Sequence, residues 1–222
     1  MIRVLIGDDH HIVREGLKQV LADAPDVGVL AEAQTGLEVL ERVHALGGTA
    51  GLDLVLLDVA MPGRDGLEVL RILRHEHPNL PVLMFSTYPE NQYAVRCIRL
   101  GAGGYLNKSA DPDDMLAAVR KVAAGGMYVT PVTAEALAAA VGGTAARSGS
   151  GAGNVDALSH REHQVFRLLT AGQTVSEIGA QLKLAPNTVS TYRARILEKT
   201  GTKNDVELAL YAERHGRAGI GG

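Results

Sequence analysis

Leu54-Val-Leu-Leu-Asp58-Val-Ala-Met-Pro62-Gly-Arg-Asp-Gly66 is the stretch on which the fold turns. Four consecutive apolar residues between polar neighbours read as a short strand buried on both faces. Burial on both faces marks a parallel sheet covered by helices on either side. The run ends on a carboxylate, Asp58, and the helical spacing of Leu67–His75 follows. A strand, an acid at its carboxyl end and a returning helix form one repeat of an α/β domain.

The repeat extends in both directions. Ile2–Ile6 and Val82–Phe85 read as buried strands, with weaker ones at Gly28–Ala33 and Gly104–Asn107. Helical spacing occupies His11–Ala22, Gly36–Leu46, Asn91–Leu100 and Pro112–Ala123. Five strands alternating with five helices predict a doubly wound, five-stranded parallel sheet over residues 1–125. Sites in such sheets form beyond the carboxyl ends of the strands. Those ends carry Asp8 and Asp9 after the first strand, Asp58 after the third, Ser86 or its neighbour Thr87 after the fourth, and Lys108 after the fifth. Converging carboxylates repel unless a cation lies among them, and oxygen ligands suit a hard divalent ion such as Mg2+. A hydroxyl and an ammonium beside a metal-bound carboxylate make a site for a phosphoryl group, with a carboxylate available as nucleophile. Any one of these residues alone reads as a loop or surface residue; the set at successive strand ends carries the inference.

Past Gly125-Gly126 the chain changes character. Thr133–Ala140 reads as a short alanine-rich helix, and the glycine-rich segment 142–154 as a flexible linker with little to bury, so that 126–154 joins two domains. Residues 155–216 then show four helical patterns, Leu158–Ala171, Val175–Leu182, Pro186–Thr200 and Asn204–His215, before a short tail at 217–222 expected to be disordered. Ser159 with Glu162, and Thr174 with Glu177, have capping-box spacing. Pro186 suits a first helical position after a tight turn at Lys183-Leu184-Ala185. Two short helices joined by such a turn make a helix-turn-helix. On the third helix Val189, Tyr192, Ile196 and Thr200 fall on one face, expected to be core. Asn187, Thr191, Ala194, Arg195 and Glu198 lie on the other, with Ser190 at its border, small and polar enough to sit close in a major groove. Arg193, Arg195, Lys199 and Lys203 add charge for phosphates or base edges.

Residues 155–216 hold eight basic and seven acidic side chains, against twelve and seventeen in residues 1–125, so positive charge concentrates where contact with DNA is expected. Overall the formal charge is -3, which excludes a uniformly basic nucleic-acid binder. One cysteine, Cys97, leaves no disulfide framework or cysteine-based zinc site. With no signal-peptide pattern and no long apolar run, a cytoplasmic protein away from the membrane is expected.

Residues 1–125 resemble response-regulator receiver domains through VLIGDDH, LVLLDVAMPGRDGLEVL, PVLMFST and GAGGYLNKSA. The resemblance implies a flavodoxin-like fold in which Asp58 accepts a phosphoryl group from a sensor histidine kinase or phosphorelay protein. It also implies that Asp8, Asp9, Asp58 and the Ala60 carbonyl hold Mg2+, that Ser86 and Lys108 meet the phosphoryl oxygens, and that Tyr105 swings inward as a switch. Ser109 stands where many receivers have a proline in a cis bond. Residues 158–212 resemble the four-helix LuxR-type DNA-binding domain, with Glu162, Gly172, Glu177, Ile178, Thr188, Val189, Ile196, Leu197 and Lys199 on its pattern. By that resemblance Asn187, Thr188, Ser190, Thr191, Arg193, Ala194, Arg195, Lys199 and Lys203 face double-stranded DNA, and the last helix carries contacts of a homodimer formed on phosphorylation or on DNA. The whole resembles the NarL/FixJ class of two-component response regulators, which implies a phosphoryl-accepting transcription regulator and not an enzyme. A dehalogenase-type phosphatase would need a second acid where Ala60 stands, and no phosphate-binding G-x-x-x-x-G-K-[ST] loop is present. The remaining rival is a transcription factor whose receiver works without phosphate.

Overall fold

The computed structural model describes residues 1–144, 158, 160–182 and 184–216. The chain divides into two compact units, 1–148 and 149–222. In the first, strands β1 (Ile2–Gly7), β2 (Val27–Ala33), β3 (Leu54–Leu57), β4 (Val82–Ser86) and β5 (Gly104–Asn107) alternate with helices α1 (His11–Ala22), α2 (Gly36–Ala45), α3 (Gly66–Glu76), α4 (Glu90–Arg99) and α5 (Pro112–Ala123). All strand pairs are parallel, in the order β2-β1-β3-β4-β5. The expected sheet is formed, with no element end displaced by more than one residue. A short 3-10 turn at Gly48–Ala50 adds to it.

Strand periodicity splits the core in two. Leu5, Val55, Leu57, Val82, Met84 and Tyr105 face one side, where they pack with residues of α2, α3 and α4 such as Val39, Leu70 and Cys97. Val4, Ile6, Leu54, Leu56, Leu83, Phe85 and Leu106 face the other, against Leu17 and Leu21 of α1 and Met115, Val119 and Val122 of α5. At the mouth of the sheet the helix starts are fixed by caps. Thr35 accepts from the Glu38 N–H at 3.2 Å, and Asp65 from the Glu68 N–H at 2.8 Å. Gly66 opens α3 so close to the strand end that a Cβ there would lie 1.9 Å from the Asp58 carbonyl oxygen.

Beyond α5 the chain runs along the outer edge of β5. The Tyr128 N–H donates to the Gly103 carbonyl at 2.8 Å, and Tyr128 bridges Gly104 in parallel. A helix α6 (Pro131–Thr144) follows and packs on α4. It is longer than the expected Thr133–Ala140. Pro131 supplies a preset first position, Thr130 Oγ1 accepts from the Thr133 N–H at 3.1 Å, and Gly142 and Gly143 are absorbed into the last turn. The rest of the expected linker (145–154), the cap Ser159, Lys183 and the tail 217–222 lie outside the described residues.

The second unit contains α7 (His160–Thr170), α8 (Val175–Leu182), α9 (Pro186–Thr200) and α10 (Asp205–Gly216). Leu158, Val165, Phe166, Leu169, Ile178, Val189, Ile196, Leu208 and Tyr211 form its core. The capping box at the start of α8 is closed: the Thr174 N–H donates to Glu177 Oε2 at 2.7 Å and the Glu177 N–H to Thr174 Oγ1 at 3.3 Å. Gly179 lets the turn into α9 approach, because a Cβ there would meet the Leu184 carbonyl oxygen at 2.8 Å.

Candidate functional site

The carboxyl ends of β1, β3, β4 and β5 bring the expected acids, hydroxyl and lysine together. Hydrogen bonds from the Asp58 N–H to the Gly7 carbonyl (2.8 Å) and from the Lys108 N–H to the Ser86 carbonyl (2.9 Å) tie neighbouring strand ends in register. Asp8 and Asp58 are almost wholly buried, at 1% and 3% exposure, whereas Asp9 reaches solvent. Lys108 Nζ lies between them, 2.7 Å from Asp58 Oδ2 and 2.6 Å from Asp8 Oδ2. Asp58 Oδ1 accepts from the Ala60 N–H at 3.2 Å, which places the Ala60 peptide at the site.

Burial dominates the electrostatics of Asp58. It pushes the carboxyl above its ordinary range and outweighs the pull of Lys108, with Asp8 adding repulsion. Two further buried oxygens line the pocket. Ser86 Oγ is wholly buried facing Asp58 and Tyr105 without a hydrogen bond of full geometry, and Asp8 Oδ2 is ion-paired with Lys108 at 2.6 Å. A buried hydroxyl beside carboxylates that share one lysine fits a site built for a cation and an oxyanion. Asp8, Asp9, His10 and Asp58 can all present ligand atoms within 4.8 Å of one another, which fits a divalent ion.

Two participants escaped the sequence reading. His10 Nδ1 lies 2.8 Å from Asp9 Oδ1 and 3.2 Å from Asp8 Oδ1. Arg14, 3% exposed on α1, donates from Nη1 to the Asp8 carbonyl at 2.7 Å and from Nε to Glu32 at 3.0 Å. Adjacency to the acid pair was the only signal for His10. For Arg14 it was the helical spacing that turns it towards the sheet.

Tyr105 differs from the expected resting switch. The ring is already inward and fully buried, and its hydroxyl donates to the Tyr88 carbonyl at 2.8 Å, beside a bond from Asn107 Nδ2 to the same oxygen at 3.0 Å. Among the described residues no peptide bond is cis; Ser109 instead bonds Asn107 Oδ1 through its N–H (2.9 Å) and hydroxyl (2.7 Å).

On α9, Val189, Ile196 and Thr200 are buried and Tyr192 half-buried, as the helical wheel requires. Asn187, Ser190, Thr191, Ala194 and Arg195 are exposed, Thr188 is half-buried, and exposed Lys203 follows the helix. Asn187, Thr188, Thr191, Tyr192 and Arg195 line a shallow cavity of about 290 Å³ along the helix. Two of the expected DNA-facing cations are engaged within the unit. Arg193 Nε bonds both carboxylate oxygens of Asp205 (2.8 and 3.1 Å), and Lys199 Nζ lies 2.6 Å from Oε2 of the buried Glu162. The remaining exposed set is compact enough to enter a major groove.

The model of the response regulator receiver domain matches residues 4–120, and that of the luxR family of bacterial regulatory proteins matches residues 156–212. The chain is 40% identical over 216 residues to the response regulator GacA of Pseudomonas viridiflava, covering 97% of each protein. It is 35% identical over 216 residues to the response regulator UvrY of Escherichia coli (strain K12), covering 97% of this chain and 95% of UvrY. The crystal structure of the response regulator ChrA, from a heme-sensing two-component system, aligns over 97% of this chain and 98% of ChrA, with 31% identity and a TM-score of 0.51. A buried acid–lysine pocket on a parallel sheet, a second unit with an exposed helix-turn-helix and these matches agree: the chain belongs to the two-component response regulators that join a receiver domain to a LuxR-type DNA-binding domain.

Proposed function

We propose that Asp58 is the phosphoryl acceptor and that its phosphorylation controls sequence-specific DNA binding by the second unit, and so transcription. The observation that carries this reading is the convergence of Asp8, Asp58 and Lys108 beside the buried Ser86 hydroxyl. Asp8, Asp9, Asp58 and the Ala60 carbonyl would hold Mg2+, which when bound supplies positive charge to the carboxylate and phosphoryl oxygens. An Asp58 oxygen attacks the phosphorus of a phosphohistidine on a sensor kinase or relay protein. The new O–P bond forms as the P–N bond breaks, and the histidine nitrogen recovers a proton. Lys108 turns from carboxylate to phosphoryl oxygen, and the Ser86 hydroxyl donates to another.

In the second unit, Asn187, Thr188, Ser190, Thr191, Ala194 and Arg195 face double-stranded DNA, with Lys203 on a phosphate. Val206 and Leu210, exposed on α10, favour a homodimer through that helix. No helix among the described residues is long and apolar enough to cross a membrane. The test is selection of genomic DNA fragments by the whole chain and its Asp58→Asn variant, with and without Mg2+ and a small-molecule phosphodonor. Donor-dependent enrichment by the wild type alone is expected.

The inward Tyr105 favours a second reading, in which the receiver's output surface is set without phosphate. Equal enrichment in every arm would replace the first reading with this one.

A further inference from the structure

The last helix of the first unit is tied to the start of α4, four residues beyond Ser86. Glu90, in the first turn of α4, accepts through Oε2 from the Thr130 hydroxyl at 2.5 Å. Thr133 is fully buried, and its hydroxyl lies 3.2 Å from Thr130 Oγ1 and 3.4 Å from Glu90 Oε2. A carboxylate therefore holds the first turn of α6, whose body packs along α4. Only Thr87, Tyr88 and Pro89 separate Glu90 from Ser86. Tyr88 in turn stacks on Tyr93 of α4, with centroids 4.9 Å apart, and its carbonyl receives the hydroxyl of the buried Tyr105. One short segment is thus bonded at one end to the acceptor pocket and at the other to α6.

We propose that α6 reads the state of Asp58 within the same chain, with Glu90 as the joint; this rests on phosphorylation at Asp58 gating DNA binding. When the Ser86 hydroxyl is drawn to a phosphoryl oxygen, residues 86–90 follow. The Glu90 carboxylate then withdraws from Thr130 and Thr133, and the first turn of α6 is freed. A hydrogen bond to a charged group biases an equilibrium by roughly 10- to 100-fold, enough for a two-state element. Because residues 128–144 cover α4 and the edge of β5, the signal leaves this face through the chain's own helix and not through a second copy docked there.

The test is hydrogen exchange over residues 128–144 of the full-length chain, with and without Mg2+ and a small-molecule phosphodonor. It is read beside phosphorylation on a phosphate-chelating gel and affinity for a selected DNA fragment. In the wild type the donor is expected to speed exchange at 131–137 by about tenfold and to change DNA affinity. Glu90→Ala, which leaves the Thr130 cap in place, exchanges fast without donor and is phosphorylated to the same extent. Its ratio of DNA affinities with and without donor falls to near one. Thr130→Ser, which keeps the hydroxyl, behaves as wild type. Thr133→Val, which keeps the shape and loses the buried hydroxyl, serves if Glu90→Ala does not fold. A wild-type affinity ratio in both Glu90→Ala and Thr133→Val overturns the proposal, as does donor-dependent DNA affinity with unchanged exchange at α6. Wild-type DNA affinity indifferent to donor removes the gating itself, and the role of α6 falls with it.

Discussion

Gly66→Ala sets two opposing effects against each other at the acceptor pocket. Helix propensity and a less flexible unfolded chain favour alanine, by about 1 kcal/mol at most on each account. Geometry opposes it. The new Cβ would sit 1.9 Å from the Asp58 carbonyl oxygen, 2.9 Å from its carbon and 3.0 Å from Val59 Cα, so a gap of about 1 Å must open. These are backbone atoms. The Asp58 N–H is bonded to the Gly7 carbonyl, and the Gly66 N–H to the Val59 carbonyl at 2.9 Å, so the peptides on both sides of the Asp58 carbonyl are held and its displacement strains them. Overpacking of this kind costs about 1–3 kcal/mol, and with clash against backbone the upper half applies. A net destabilisation of about 1–2 kcal/mol is expected in urea unfolding of the receiver. The same displacement moves the peptide that aims Asp58, and an error near 1 Å at reacting atoms lowers rate by about 100-fold. Initial phosphorylation by a small-molecule donor reads this second effect. Gly16→Ala is the control: on α1, with nothing within 4 Å of its Cβ, it is expected to gain about 0.5–1 kcal/mol. A Gly66→Ala protein as stable as wild type and phosphorylated at its rate would refute the steric argument.

Lys199→Gln leaves the Glu162 carboxylate, 2% exposed, without the ammonium at 2.6 Å. Because Lys199 is itself partly exposed, the loss is expected near 1–3 kcal/mol, or roughly 10 °C in the calorimetric melting of the second unit. An unchanged melting temperature would return Lys199 to the DNA-facing set. Lys203→Gln is expected to lower the slope of log affinity for DNA against log salt by about one, whereas Arg193→Gln, which breaks the pair with Asp205, should leave it unchanged. Asp53 is held at about 2 by the Arg3 guanidinium, below its ordinary 3.8. A depressed folded-state value gives stability that is present above the unfolded value and lost as pH falls to the folded one. The stability deficit of Asp53→Asn should therefore be full at pH 7 and close between about pH 4 and pH 2; a deficit constant across that window would show that the ion pair is not its source.

Much of the receiver was legible because parallel topology converts residue order into place. Once Leu54–Leu57 is a buried strand, Asp58 must lie at its end, and the same holds for Asp8, Ser86 and Lys108. Charge on α9 was harder, because whether a cation is free depends on distant partners. Arg193 is held by Asp205, twelve residues on, and Lys199 by Glu162, 37 residues back. The inward Tyr105 depends on a backbone carbonyl, which no residue type announces. In the alanine-rich α6, apolar residues lie on every side, so periodicity assigned it no face; Thr130 and Thr133 fixed its seat instead.

The strand of chain passing Tyr128 also decides where the receiver can be cut. In the order β2-β1-β3-β4-β5, β5 is an outer strand, and bare outer strands recruit other chains into their ladder. The Tyr128 N–H fills the Gly103 carbonyl and the bridge to Gly104 shields that border. A fragment ending at residue 125 would strip this cover from the sheet and tend to self-associate, while one ending at residue 144 keeps its margin closed.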